Sequence, residues 1–346
     1  MNSLLSIEIG SSNIHLVEGY TNKGTIQIEK AKIFPILEGS LLGDRIGDMS
    51  LMAESLSDAL RSFDVKTKET VVTFNATSAV IREIDLPNAK PKELDEMIKN
   101  ELIQVYNILP SDIIQYKSID KFTNDMGATI TKYLAVALDS EIIEGYHTLL
   151  TSVKLKPVAM DLNVNAIGKL FSGDLSINDR LLNSNGIMLI DFGKTTTTIY
   201  LASKGKPLFH RHINFGCGKI EQIINDETFT SELEMRKLKE QGYNFFGEDD
   251  ASKKYFSILK PFFYNFSDEI RKIMGFYNSR SIAGNGSIDQ IYLYGGGSNL
   301  KGFAEYCESS FNIATEQIKT ISTVKTKDIE ASLASFLNAI GALIRH

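Results

Sequence analysis

The sequence predicts an α/β fold made of two duplicated lobes that face one another across a ligand cleft. Three stretches carry this reading. Leu5-Ser6-Ile7-Glu8-Ile9-Gly10-Ser11-Ser12-Asn13 gives an apolar strand, an acid, one spacer, a glycine and a small polar cluster, and Ile14 to Val17 continues as a second strand. The same order returns, just over half the chain away, at Met188-Leu189-Ile190-Asp191-Phe192-Gly193-Lys194-Thr195-Thr196-Thr197, ahead of Ile199 to Leu201. Third, the buried-strand pattern Ile291-Tyr292-Leu293-Tyr294 runs straight into Gly295-Gly296-Gly297-Ser298-Asn299, with a helix start around Lys301 to Phe311.

Strand patterning on both sides of a glycine-hydroxyl turn makes a β-hairpin whose tip offers backbone N–H groups and hydroxyls to an anion. A carboxylate beside the tip suits a hydrated cation. Two such hairpins clamp one polyphosphate. The repeat is too widely spaced for a solenoid, so it marks two homologous halves. At the third stretch, adjacent glycines leave no Cβ in the way of a flat base, and the following helix start favours negative charge.

At 346 residues the chain is long for one core, and two or more lobes are expected. A hydrophobic share of 43% and a charged share of 23% are those of an ordinary water-soluble globular protein. The net charge of −6, with no dense Lys/Arg cluster, argues against a nucleic-acid surface. Met1-Asn2-Ser3-Leu4-Leu5 has no charged region of a signal peptide, and no apolar run approaches the roughly 20 residues that span a bilayer. Cys217 and Cys307 carry no metal-ligand spacing and suit a reducing cytoplasm as two ordinary thiols. His210 and His212 flank Arg211 on one strand face; with no third ligand, strand surface is preferred to a metal site.

Residues 1 to about 80 read as strand, strand, helix (Leu51 to Phe63) and strand (Thr70 to Phe74). A strand over Ala79 to Pro87, a helix opened by Pro91 and ended before Leu109-Pro110, a strand over Tyr133 to Ala137 and a helix from Glu141 to about Val153 follow. This βαβα block has its own small core and interrupts the first lobe. The second lobe continues with a strand from Phe209 into Gly216-Cys217-Gly218 and a helical stretch over 219–242. A further helix covers Lys253 to Tyr277, bent or restarted at Pro261, and an apolar helix runs from Leu333 to Ile344.

Phosphate turn, phosphate turn and glycine-rich adenosine turn, in this order, resemble the actin, DnaK and FtsA superfamily. The strand ending in Ile84-Asp85-Leu86-Pro87, the helix Lys92 to Pro110 and the stretch Leu155 to Ile167 narrow the resemblance to the type IV pilus assembly protein PilM family, over Leu5 to Ile344. The resemblance implies an actin-like two-lobed nucleotide-binding fold, with ribonuclease-H-like duplicated lobes and a small FtsA/PilM-type inserted subdomain. The expected boundaries are 1–79 for the first part of lobe I, 80–155 for the insertion and 156–185 for the rest of lobe I with the hinge around 183–186. Lobe II covers 186–330, with a helical subdomain at 219–285, and 331–346 is a helix returning to lobe I.

The resemblance also implies ATP and Mg2+ as cofactors. Glu8 and Asp191 become the catalytic and metal-binding acids, although Glu8 stands where the superfamily usually has aspartate. Its extra methylene moves the carboxylate by more than an ångström, a displacement to which hydrolysis is sensitive, so weak or absent ATPase activity is expected. For either acid taken alone, a solvated strand end is an even alternative. Gly10, Ser11, Ser12, Asn13, Gly193, Lys194, Thr195 and Thr196 would hold phosphate, against the plain alternative of turn-forming residues. Gly216 would contribute backbone, but the family has two adjacent glycines where this chain has Gly216-Cys217-Gly218. Lys239, with Arg236 or Glu232, would face ribose and base from a helix over 229–241, against an ordinary charged amphipathic helix. Gly296, Gly297 and Ser298 would take adenosine.

By the same resemblance, the chain is a cytoplasmic scaffold, peripheral to the inner face of the cell membrane. It would bind the N-terminal cytoplasmic tail of a PilN-like membrane protein, and a pilus assembly ATPase and a platform protein are further partners. Nucleic acid and direct membrane insertion are not expected. Candidate groove residues are Ile81, Ile84, Leu86, Leu102 and Val105, which serve equally well as subdomain core. An FtsA-like cell-division homologue is the first alternative, disfavoured because no amphipathic helix follows Arg345-His346; a small-molecule kinase of the superfamily is the second.

Overall fold

The computed structural model describes residues 3–345 except 126, 183–185, 204–205, 232–233, 235–237, 239–241 and 281–286. The chain opens with β1 (Leu4–Ile9), β2 (Asn13–Asn22) and β3 (Thr25–Pro35). A short hairpin of β4 (Leu41–Leu42) and β5 (Arg45–Ile46) leads to α1 (Met49–Phe63) and β6 (Glu69–Phe74). β7 (Val80–Pro87), α2 (Pro91–Tyr106), β8 (Ile113–Thr123), β9 (Thr129–Leu138) and α3 (Ser140–Ser152) come next. They are followed by β10 (Lys156–Leu162), α4 (Asn163–Leu170) and the hairpin β11 (Ser176–Ile177) and β12 (Arg180–Leu181). β13 (Ile187–Phe192), β14 (Thr197–Ser203), β15 (Lys206–Ile213), α5 (Gly218–Thr228) and α6 (Asp250–Arg280) begin the second half. It ends with β16 (Gln290–Tyr294), a 3-10 turn at Gly296–Asn299, α7 (Phe303–Phe311), β17 (Thr315–Gln317), β18 (Val324–Thr326) and α8 (Leu337–Ala342).

The chain divides into two compact units, one of 1–37, 55–75 and 156–346, the other of 38–54 and 76–155. The larger unit holds two mixed sheets, ordered β10-β6-β1-β2-β3-β18 and β15-β14-β13-β16-β17. The duplication is exact in connectivity around the two acids. β1 lies between antiparallel β2 and parallel β6, and β13 lies between antiparallel β14 and parallel β16. Central strands covered on both faces must be apolar throughout, and five of six residues in each are buried.

Lobe II builds its core from aromatic rings: Phe192 stacks on Phe303 with centroids 4.7 Å apart and leans on Phe266 at 5.3 Å. α6 runs unbroken through Pro261. The predicted helix over 219–242 is cut instead at Thr228, where Phe229 takes a left-handed φ of 53°, a conformation that an α-helix cannot continue through. Lys239, Arg236 and Glu232, and residues 183–185 of the predicted hinge, lie outside the described residues. α8 packs against β1, β6 and α4. The approach to α4 is close enough that a Cβ at Gly341 would fall 2.2 Å from the Ala166 carbonyl oxygen.

The smaller unit is a three-stranded antiparallel sheet, β7-β9-β8, with α2 packed on it. Pro91 presets the first turn of α2, and left-handed Asn107 ends it. Asp139 accepts from the Glu141 N–H to start α3. Of the candidate groove residues, Ile84, Leu86 and Leu102 are core of this unit. Val105 is exposed.

Candidate functional site

The two turns repeat each other in atomic detail. The Gly10 N–H donates to the Asn13 carbonyl at 2.9 Å, and the Gly193 N–H to the Thr196 carbonyl at 3.1 Å. These two donors are therefore spent within their turns rather than offered to an anion. Each acid stands two residues before its glycine, at matching positions of the two central strands.

Glu8 and Asp191 come together on one side chain. Asn338 of α8 donates its Nδ2 to Glu8 Oε1 at 2.7 Å and to Asp191 Oδ2 at 3.1 Å. Glu8 is 6% exposed and fully engaged. Oε1 also accepts from Asn163 Nδ2 at 3.3 Å, Asn163 is held by the Thr73 hydroxyl at 2.8 Å, and Oε2 lies 3.0 Å from His15 Nδ1. The second turn is also held by Asn75, just past the end of β6, whose Nδ2 donates to Thr196 Oγ1 at 3.2 Å. Sequence reasoning missed Asn338, Asn163 and His15. The one signal for Asn338 was a lone amide within the apolar stretch Phe336 to Ile344.

Burial pushes the Asp191 carboxyl up to about 7, and the neighbouring Glu8 charge adds to the rise; the Asn338 hydrogen bond and His15 oppose it. The sign follows from linkage. An acid whose folded pKa exceeds the unfolded 3.8 adds stability that is complete below 3.8 and is lost as pH rises through about 7. Relative to wild type, Asp191→Asn is therefore expected to become progressively more stable from about pH 4 to about pH 7 and to level off above that. Paired thermal melts check this, and a pH-independent difference contradicts it.

The backbone around the second turn is tightly closed. Cys217 N–H donates to the Gly193 carbonyl and Gly218 N–H to the Lys194 carbonyl, both at 2.9 Å. A Cβ at Gly216 would lie 2.1 Å from Lys194 O, so the glycine is required by approach. On the other side, a Cβ at Gly297 would meet the Phe192 carbonyl oxygen at 2.6 Å and its ring at 2.7 Å. Ser298 Oγ donates to the Gly295 carbonyl and accepts from Gln317 Nε2. A cavity of about 530 Å³ lies beside the second turn, lined by Lys194, Thr195, Asn214, Lys219, Phe262 and Asn265 among others; Gly296 to Ser298 are not part of its wall. In the first turn Ser11 is exposed, and Asn13 Nδ2 donates to Ser12 Oγ.

The donor set is carboxylate, amide and hydroxyl oxygen, the ligands of a hard cation. Among the described residues no group of three or more His, Cys, Asp or Glu forms a self-sufficient metal centre. Two carboxylates that leave other positions to phosphate oxygens and water fit magnesium. The buried Asn338 Oδ1, which has no hydrogen-bond partner among the described residues, fits a polar rather than an apolar occupant.

The model of the type IV pilus assembly protein PilM family matches residues 6–346. The chain belongs to the PilM family. Among solved structures it is similar to that of a PilM–PilN type IV pilus biogenesis complex, at 17% identity and a TM-score of 0.74, covering 98% of this chain and 97% of that one. It is also similar to MreB5 of Spiroplasma citri bound to AMPPNP, with 12% identity, TM-score 0.54 and coverage of 99% and 95%. The ethanolamine utilization protein EutJ from Carboxydothermus hydrogenoformans shares 13% identity at a TM-score of 0.52, with coverage of 99% and 89%. At these identities the likenesses establish the actin-like fold. Among the described residues, no helix is long and apolar enough to cross a membrane.

Proposed function

We propose that the chain is a Mg-ATP-binding scaffold of type IV pilus assembly that holds the N-terminal cytoplasmic tail of a PilN-like protein at the inner face of the cell membrane. The observation that carries the nucleotide part is the single amide of Asn338 joining the acids of both phosphate turns. The solved PilM–PilN complex and AMPPNP-bound MreB5 are in accord with the two ligands.

In this reading Ser11, Ser12 and Asn13 face phosphate from the first turn, and Lys194, Thr195 and Thr196 from the second. Gly216 clears the backbone, Gly296, Gly297 and Ser298 take the adenosine, and Lys239 contributes to the ribose and base. Glu8 and Asp191 hold the cation, which when bound supplies charge neutralisation to the phosphates. Glu8 already has donors on both oxygens, Asn163 and Asn338 on one and His15 facing the other. A carboxylate so pinned is a poor mobile base, and hydrolysis is expected to be slow or absent. Nucleotide then acts as a ligand of the assembled lobes, and tail and nucleotide strengthen each other by linkage.

Nucleotide-free protein is expected to gain about 2.7 kcal/mol of stability at Mg-ATP one hundred times its dissociation constant, and to bind a peptide of the partner tail more tightly when Mg-ATP is present. Superimposable melts with and without Mg-ATP contradict the nucleotide site; equal peptide affinities in the two conditions contradict the coupling.

A further inference from the structure

We propose that Asn338 is a positioning residue that bridges the two phosphate turns in place of a cation. The proposal rests on the Mg-nucleotide reading for its purpose, but the geometry stands by itself. Two carboxylates from different lobes are brought to one side chain, close enough to share its amide nitrogen. Both amide hydrogens of Asn338 are aimed at them, one at each acid. The amide thus gives two anions what a cation between them would give, without adding charge.

Its orientation is dictated by these neighbours. Both acids take Nδ2 at hydrogen-bond distance, and an amide oxygen in its place would meet the Glu8 carboxylate acceptor to acceptor. Oδ1 is left buried with no partner among the described residues, in a residue 4% exposed. An orphaned buried acceptor is a standing cost. It is tolerated here because turning the amide over would set Oδ1 against both acids. A divalent cation held by Glu8 and Asp191 removes that constraint: the acids then need no donor, and an amide turned over offers the cation a third oxygen. Asn338 sits on α8, which packs on β1, so the bridge reports the state of the acids to the helix behind lobe I.

Two near-isosteric replacements test this in the full chain. In EDTA, Asn338→Asp places a third carboxylate at the junction and should lower the melting temperature; millimolar Mg2+ or Mn2+ alone, without nucleotide, should restore it. Wild type should gain less from the same cations than Asn338→Asp does. Asn338→Leu removes the bridge and the third oxygen, so it should melt lower in EDTA without recovering fully in cation. Identical depression of both variants with and without cation would make Asn338 packing only and overturn the proposal. If Asn338→Asp does not fold in EDTA, refolding in Mg2+ but not in K+ of matched ionic strength supports the bridge, and failure in both overturns it. Because these arms contain no nucleotide, failure of ATP binding is read separately, in Mg-ATP melts of the wild type.

Discussion

Phe192→Ala is expected to cost about 3–5 kcal/mol of stability, near the upper end for a single core truncation. The ring has no exposed surface and is held by Phe303 on one side and Phe266 on the other. Rigid aromatic and backbone surroundings collapse poorly into the space left, so the cavity term adds to the lost transfer energy. The consequence reaches the site, since Phe192 follows Asp191 in sequence and its ring and carbonyl define how closely Gly297 approaches. Urea unfolding measures the loss. A change under about 1 kcal/mol would mean that this core is far more adaptable than its ring contacts imply.

Lys169→Met should cost a similar amount, about 3–5 kcal/mol, for a different reason. Lys169 Nζ lies 2.6 Å from Asp161 Oδ2, with the two side chains 10% and 4% exposed, and also donates to the Ile344 carbonyl at 2.8 Å. Removing the lysine leaves a buried carboxylate compensated, among the described residues, by the Asn165 amide, the Leu162 N–H and the more distant Arg345, at 3.9 Å. The double replacement Lys169→Met with Asp161→Leu should recover most of the loss, because what is costly is the unpaired charge rather than the absence of the pair. If the double variant is as unstable as the single one, the role of Lys169 lies in its bond to the Ile344 carbonyl.

What could be read from the sequence follows the burial of each segment. β1 and β13 are covered on both faces, so apolar runs betrayed them, and each ends in a turn whose glycine and hydroxyls are themselves a signal. β8 is mostly exposed along its 11 residues and carries no hydrophobic alternation strong enough to announce a strand. β3 is half-buried, ends in Pro35, and was likewise not anticipated. The acids were legible through duplication, whereas their partners were not. Asn163, His15 and Asn338 become meaningful only when parallel strands and a remote helix bring them to Glu8, a juxtaposition that no local periodicity encodes. The helix cut at Phe229 was missed because a left-handed residue there needs neither glycine nor proline to stop the helix.

The place of α8 in the chain has a consequence for biogenesis. A ribosome makes Ser6 and Glu8 more than three hundred residues before two of the groups that engage them, the Ala339 carbonyl and the Asn338 amide. β18, which closes the edge of the first sheet, also emerges only in the final stretch. Nascent lobe I therefore waits with an open sheet edge and an unbridged acid, conditions that favour chaperone engagement during translation. The same delay makes the acid junction a checkpoint of completeness: a chain interrupted before residue 338 can fold much of its sheet structure yet lacks the amide that joins Glu8 to Asp191.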